Sequence, residues 1–192
     1  MKYDRIRRLS PLREEVLAGK ERMWLDTYRF PDSQTDLFEK FAQGKSMAEA
    51  EEGYRSEARN FQKKLDLLHL SDDGSHMARH AEYEVRAIPS QTGWQVEVLK
   101  PEYLTLAELR RYHTLTADEE KILADQLVSA LKDAKKAGFA GRPTDENVYV
   151  VAENEYLLDC ANLADGEPDL AELVRDDELK ARLRSTDLYS WQ

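Results

Sequence analysis

The chain has a single cysteine, Cys160, in 192 residues. That excludes an internal disulfide and any zinc site built on several thiolates, and it suits a reducing compartment such as the cytoplasm. Long apolar runs are missing as well. No stretch approaches the roughly eighteen residues a membrane-spanning helix needs, and Met1-Lys2-Tyr3-Asp4-Arg5 lacks the apolar run of a signal peptide, so no membrane partner is expected. The four histidines, His69, His76, His80 and His113, show no paired metal-ligand spacing, and Gly141-Arg142-Pro143 matches no phosphate-loop pattern. No metal or organic cofactor is expected on these grounds.

A basic excess is also absent, the formal net charge being −10. Residues 1–73 are nearly balanced, with 14 Lys and Arg against 15 Asp and Glu, whereas residues 74–192 carry 14 against 23. A general nucleic-acid binder presents a basic face, so nucleic acid is disfavoured as a partner for residues 78–192. The acidity reads as a solubilising excess, with a basic partner as the alternative. One basic cluster stands out: Lys2, Arg5, Arg7, Arg8 and Arg13. It reads as a solvated arm, with a phosphate or acidic-partner contact as the alternative.

What is present organises itself around Gly74-Ser75-His76-Met77, which resembles the tetrapeptide that cloning leaves ahead of a start codon. On that reading, residues 1–73 are a helical partner-binding segment, 74–77 an engineered linker in a polar joint, and 78–192 an acidic α+β domain. The competing reading takes the tetrapeptide as natural.

Before the linker the sequence suggests helices. Ser10-Pro11 offers an N-cap and a first-turn proline for a helix over about 11–27, with Leu12, Val16, Met23 and Trp24 apolar. A short helix bearing Leu37, Phe38 and Phe41 should end at Gly44. Ser46-Met47-Ala48-Glu49 is a capping box opening a helix to about Leu70. Its stripe, Met47, Ala50, Tyr54, Ala58, Phe61, Leu65 and Leu68, recurs at helical spacing opposite a charged face, and so is a candidate protein-interaction surface for residues 78–192.

After the linker the order predicted is ββααββα with an antiparallel sheet. A hairpin spans Glu82–Ile88 and Trp94–Leu99, and capping boxes at Thr105–Glu108 and Thr116–Glu119 open helices over about 106–113 and on to Gly138. A second hairpin covers Asn147–Ala161, and a final helix runs over about 169–184.

The string from Gly138-Phe139 through Asp145-Glu146-Asn147 to Leu157-Leu158-Asp159-Cys160-Ala161 resembles the protein-kinase run from the catalytic-loop asparagine to the metal-binding aspartate. The resemblance implies a degenerate or minimal phosphotransferase-like fold, with Asn147 and Asp159 as the polar site. Arg142 stands where that family has its catalytic aspartate, Cys160-Ala161 replace Phe-Gly, and no glycine-rich loop precedes Trp94. Lys100 follows a strand as a phosphate lysine would, but close to the loop. Asp159 in an apolar strand requires a polar partner, and Cys160 reads as a buried structural thiol.

Taken together, these features favour a non-enzymatic protein-interaction module. The leading form is a fusion of a helical segment with its partner, of the chaperone–client, antitoxin–toxin or regulator–target kind. A degenerate kinase-like domain and a single natural two-domain adaptor are the alternatives.

Overall fold

A computed structural model describes residues 1–31, 39, 43–69, 76–78, 82–88 and 92–185. Contacts divide the chain into two compact units, residues 1–66 with 80–102, and residues 67–79 with 103–192.

The first unit opens with strands, not helices: β1 (Asp4–Arg8), β2 (Arg13–Ala18) and β3 (Glu21–Phe30). The predicted N-terminal helix over 11–27 is thereby overturned. Two features work against a helix there. Gly19, near its middle, costs about 1 kcal/mol relative to alanine in a helix and here takes φ 66°, turning β2 into β3. Val16, Trp24, Thr27, Tyr28 and Phe30 are β-branched or aromatic and fit a pleated surface better than a helical turn. Ser10-Pro11 likewise forms a hairpin turn, in which the Arg13 amide donates to the Ser10 carbonyl and the Leu12 amide to the Ser10 hydroxyl. The predicted helix bearing Leu37, Phe38 and Phe41 lies outside the described residues.

Helix α1 (Met47–His69) starts at the expected capping box: the Ser46 amide donates to Glu49 Oε2 at 2.8 Å, and the Glu49 amide to Ser46 Oγ at 3.3 Å. Strands β4 (Glu82–Ala87) and β5 (Trp94–Pro101) follow as the expected antiparallel pair. They complete a five-stranded antiparallel sheet in the order β1-β2-β3-β5-β4. Eight residue pairs join β3 to β5, from Met23–Pro101 to Phe30–Trp94, so one sheet is built from both sides of the Gly-Ser-His-Met stretch. β5 has a paired strand on each side, and Val96 through Lys100 are all buried. Gly93 precedes it at φ 152°, where a Cβ would stand 2.7 Å from the Phe30 carbonyl oxygen.

The two faces of this sheet are covered differently. Val16, Met23, Leu25 and Leu99 cluster on one face, with Met1, Tyr3 and Ala18 packed against them. Tyr28 and Phe30, from the opposite pleats of β3, meet α1 through Phe61.

The second unit has a three-stranded antiparallel sheet of β6 (Leu104–Thr105), β7 (Val148–Ala152) and β8 (Glu155–Leu158), separate from the first, where one sheet was expected. Both capping boxes form, at Thr105 for the single-turn α2 (Leu106–Leu109) and at Thr116 for α3 (Ala117–Lys136). Leu123, Leu127, Ala130, Leu131 and Ala134, which recur at helical spacing, make the buried face of α3. Gln126 clasps the hairpin to this helix, its amide donating to the Asn154 carbonyl at 3.0 Å while its oxygen accepts from the Tyr156 amide at 2.8 Å.

The long final helix predicted over 169–184 is interrupted. A 3-10 turn (Leu170–Leu173) precedes α4 (Asp177–Ser185), and the break is held by the buried Glu120 carboxylate, which accepts the amides of Arg175 at 2.7 Å and Asp176 at 2.9 Å. Asp176 then caps α4 by accepting the Leu179 amide. Part of the expected polar joint is also structured: Met77 and Ala78 are buried, Met77 bridges Leu158 in parallel, and the Leu158 amide donates to the His76 carbonyl.

Candidate functional site

Two groups of residues were candidates from sequence, and each lies within one unit or on one helix. The α1 stripe is built by the 3.6-residue period, which lines Ala50, Tyr54, Ala58, Phe61 and Leu65 along one face. Ala50, Tyr54, Ala58 and Leu65 are fully buried. The Phe61 ring lies 4.7 Å from that of Tyr28 and 5.8 Å from that of Phe30. Nearby, Tyr83 donates to Asp66, and the Arg55 guanidinium sits 5.0 Å above the Trp94 ring. The stripe therefore covers the chain's own sheet, drawing on residues before and after the Gly-Ser-His-Met stretch. Met47, at its start, is exposed, while Leu68 is buried at the end that belongs with the second unit.

The polar candidates, Asn147 and Asp159, are brought together by the β7–β8 hairpin. Asn147 immediately precedes β7 and Asp159 immediately follows β8, and the Asp159 amide donates to the Asn147 carbonyl at 2.8 Å. Both are buried. Asn147 holds the preceding turn closed: its Oδ1 accepts the Thr144 amide at 2.7 Å and its Nδ2 donates to the Asn162 carbonyl at 2.9 Å. Asp159 Oδ2 accepts from the Tyr149 hydroxyl and from Asn162 Nδ2. This is the partner that a carboxylate in an apolar strand requires. Both side chains are engaged in fixing the 144–162 loop region.

Arg142 occupies the position that the kinase resemblance assigns to a catalytic aspartate, and its guanidinium donates to Glu172 Oε2 at 2.6 Å. Its backbone bridges Ala164, with Gly141 before it at φ 145° because a Cβ there would stand 2.7 Å from the Ala164 carbonyl oxygen. Asp145 is taken by Arg110, whose Nη1 lies 2.7 and 2.8 Å from its two oxygens while Nη2 donates to the Leu173 carbonyl. Cys160 is buried, and burial together with the neighbouring Asp159 charge pushes its thiol far up, so it is no nucleophile near neutral pH. Among the described residues, no group of three or more His, Cys, Asp or Glu side chains converges as a metal site.

Sequence reasoning missed the buried charges of the first sheet. Lys100, fully buried at the end of β5, pairs with Asp26 on β3. Arg13 on β2 clamps the same carboxylate with two bonds of 2.6 and 2.8 Å and lies 4.3 Å above the Trp24 ring. Glu97 is similarly buried and accepts from Tyr3, Arg86 and Gln95. The available signal was Asp26 itself, a lone carboxylate inside Met23-Trp24-Leu25-Asp26-Thr27-Tyr28, which must be paired if that run is a central strand. No helix among the described residues is long and apolar enough to cross a membrane. No protein-family model matches this chain, and no curated protein sequence matches it.

Proposed function

We propose that this chain is one natural protein with a degenerate kinase-like layout, silent in phosphoryl transfer and acting by binding another protein. The order supports the layout: three strands, a helix and two strands, then a helical segment and a hairpin bearing Asn147 and Asp159. In kinases the corresponding parts are a lysine on the third strand, a glutamate on the following helix, a catalytic loop and a metal-binding aspartate. On this reading strands β1–β5 with α1 would correspond to the upper-lobe sheet and its helix.

Two of these parts, the third-strand lysine and the catalytic-loop aspartate, are replaced. Asp26 stands inward on the third strand, and Lys100 is committed to it from the fifth. The observation that carries the reading is Arg142, a cation paired with Glu172 where transfer needs a carboxylate to accept the substrate proton. The engaged amide of Asn147 adds to it, since both its ends hold the loop. The shared β3–β5 ladder and the buried Met77 favour one natural chain over a client tethered to its partner.

The test is a thermal-denaturation series with magnesium and ATP at millimolar concentration, paired with an assay for phosphate release. Tm is expected to stay constant and release to match the blank. Phosphate release above the blank, with a saturable, magnesium-dependent rise in Tm, would overturn the catalytic silence, since a ligand that binds only the folded state raises Tm.

A further inference from the structure

We infer that the β1–β2 hairpin is a docking surface for an acidic protein segment carrying aliphatic side chains, an inference that rests on the protein-binding reading above. β1 is an edge strand, and all five of its residues are exposed. Ile6, Leu9 and Leu12 are 47%, 43% and 52% exposed, three large aliphatic side chains on one hairpin. Three of the seven large hydrophobics exposed among the described residues thus fall within residues 6–12, a concentration of the kind that marks a contact surface.

The charge around these side chains is opposite to that of the molecule. Residues 1–13 contain Lys2, Arg5, Arg7, Arg8 and Arg13 against Asp4 alone, in a chain of net charge −10. Three of these arginines are paired with acids, Arg5 with Glu14 at 2.8 Å, Arg7 with the Glu15 carboxylate it shares with Arg22, and Arg13 with Asp26 at 2.6 Å, so the docking cation of the hairpin is Arg8. Arg8 is held at the turn itself, donating to the carbonyls of Ser10 and Pro11 at 3.1 Å each. Those bonds fix its guanidinium at the Ser10-Pro11 turn. A side chain ordered in advance loses less entropy when a carboxylate arrives, and arginine grips carboxylates with a planar fork.

The same features decide against other occupants. Regular strand addition along β1 is obstructed by the bulge between Arg5 and Arg7, a common protection of sheet edges. An anionic bilayer would attract the hairpin but meet the acidic excess of the remaining chain, whereas a peptide segment touches the hairpin alone, with charges beyond about 10 Å screened.

Selection of a random-peptide display library on the full chain tests the inference, followed by anisotropy titration of the enriched peptides and vesicle flotation with phosphatidylserine. Enriched peptides should carry net negative charge with Leu, Ile or Phe, and bind more weakly as ionic strength rises. Affinity should fall at least about tenfold in Leu9→Ser/Leu12→Ser and in Arg8→Glu, both checked for unchanged Tm. Enriched peptides that bind these variants as tightly as the parent would sink the hairpin assignment while leaving the protein-binding reading standing. Failure of any peptide to enrich, with or without vesicle binding, overturns the inference as well. A magnesium-ATP shift bears only on the catalytic silence.

Discussion

Asp26 shows how much one residue decides in the first sheet. It joins the fully buried Lys100 and the partly exposed Arg13 across three neighbouring strands. Asp26→Ala would strip a buried cation of its carboxylate, a change that costs about 3–5 kcal/mol. Asp26→Leu combined with Lys100→Met should recover most of the loss, which chemical denaturation of the two variants would measure. An Asp26→Ala protein as stable as the parent would show that the pair is no keystone. Glu119 is a milder case. The Thr116 amide and then the Thr116 hydroxyl hold its carboxyl below the usual 4.5. Its folded value lies under its unfolded one, so its contribution is complete above about pH 4.5 and fades as pH falls through the lower, folded value. Thr116→Ala should therefore lower Tm at neutral pH and have less effect in strong acid, read by paired thermal scans.

At the scale of elements, the helix that sequence marked most clearly is the one that forms most nearly as expected. The Ser46–Glu49 box and the Ala50-to-Leu65 stripe are local signals, set by residues three or four positions apart. The stripe's destination was not legible, because a helix was expected over about 11–27, and the strand that carries Tyr28 and Phe30 to Phe61 was not. Phe61→Asp and Leu65→Asp should each destabilise the fold by about 3 kcal/mol or more, since either places a charge against an apolar face. Urea midpoints will report it, and small shifts at both positions would deny that α1 closes this sheet. For β2 and β3 the failure has a definite source. Leu12, Val16, Met23 and Trp24 fit a helical count loosely, while Gly19 and the β-branched and aromatic residues around it argue for strands, and the ladder decides between the two. The split of the last helix was equally hidden, since Glu120, which holds the break, lies far away in sequence.

For the molecule as a whole, the central question is whether the Gly-Ser-His-Met stretch joins strangers or lies inside one protein. A protease site placed there and cut should leave residues 1–73 and 78–192 together on gel filtration in high salt, separating only in denaturant. The eight-pair β3–β5 ladder and the α1 cover are backbone and apolar contacts that salt does not screen. Pieces that part in native buffer would show that the shared sheet does not hold. The kinase-like string was readable from Asn147 and Asp159 because their order and spacing are written in the chain. Their engagement in the loop's own hydrogen bonds was not, and it changes the chemistry they can offer.

By itself the amino-acid sequence determined what depends on near neighbours: three capping boxes, the buried face of α3, the two later hairpins and the acidic balance of the second half. Tertiary structure alone decided which strands share a sheet, where α1 packs, and which carboxylates are buried against which cations. Those outcomes depend on pairing residues far apart in the chain. Their free energy comes from excluding water at contacts that no local window contains.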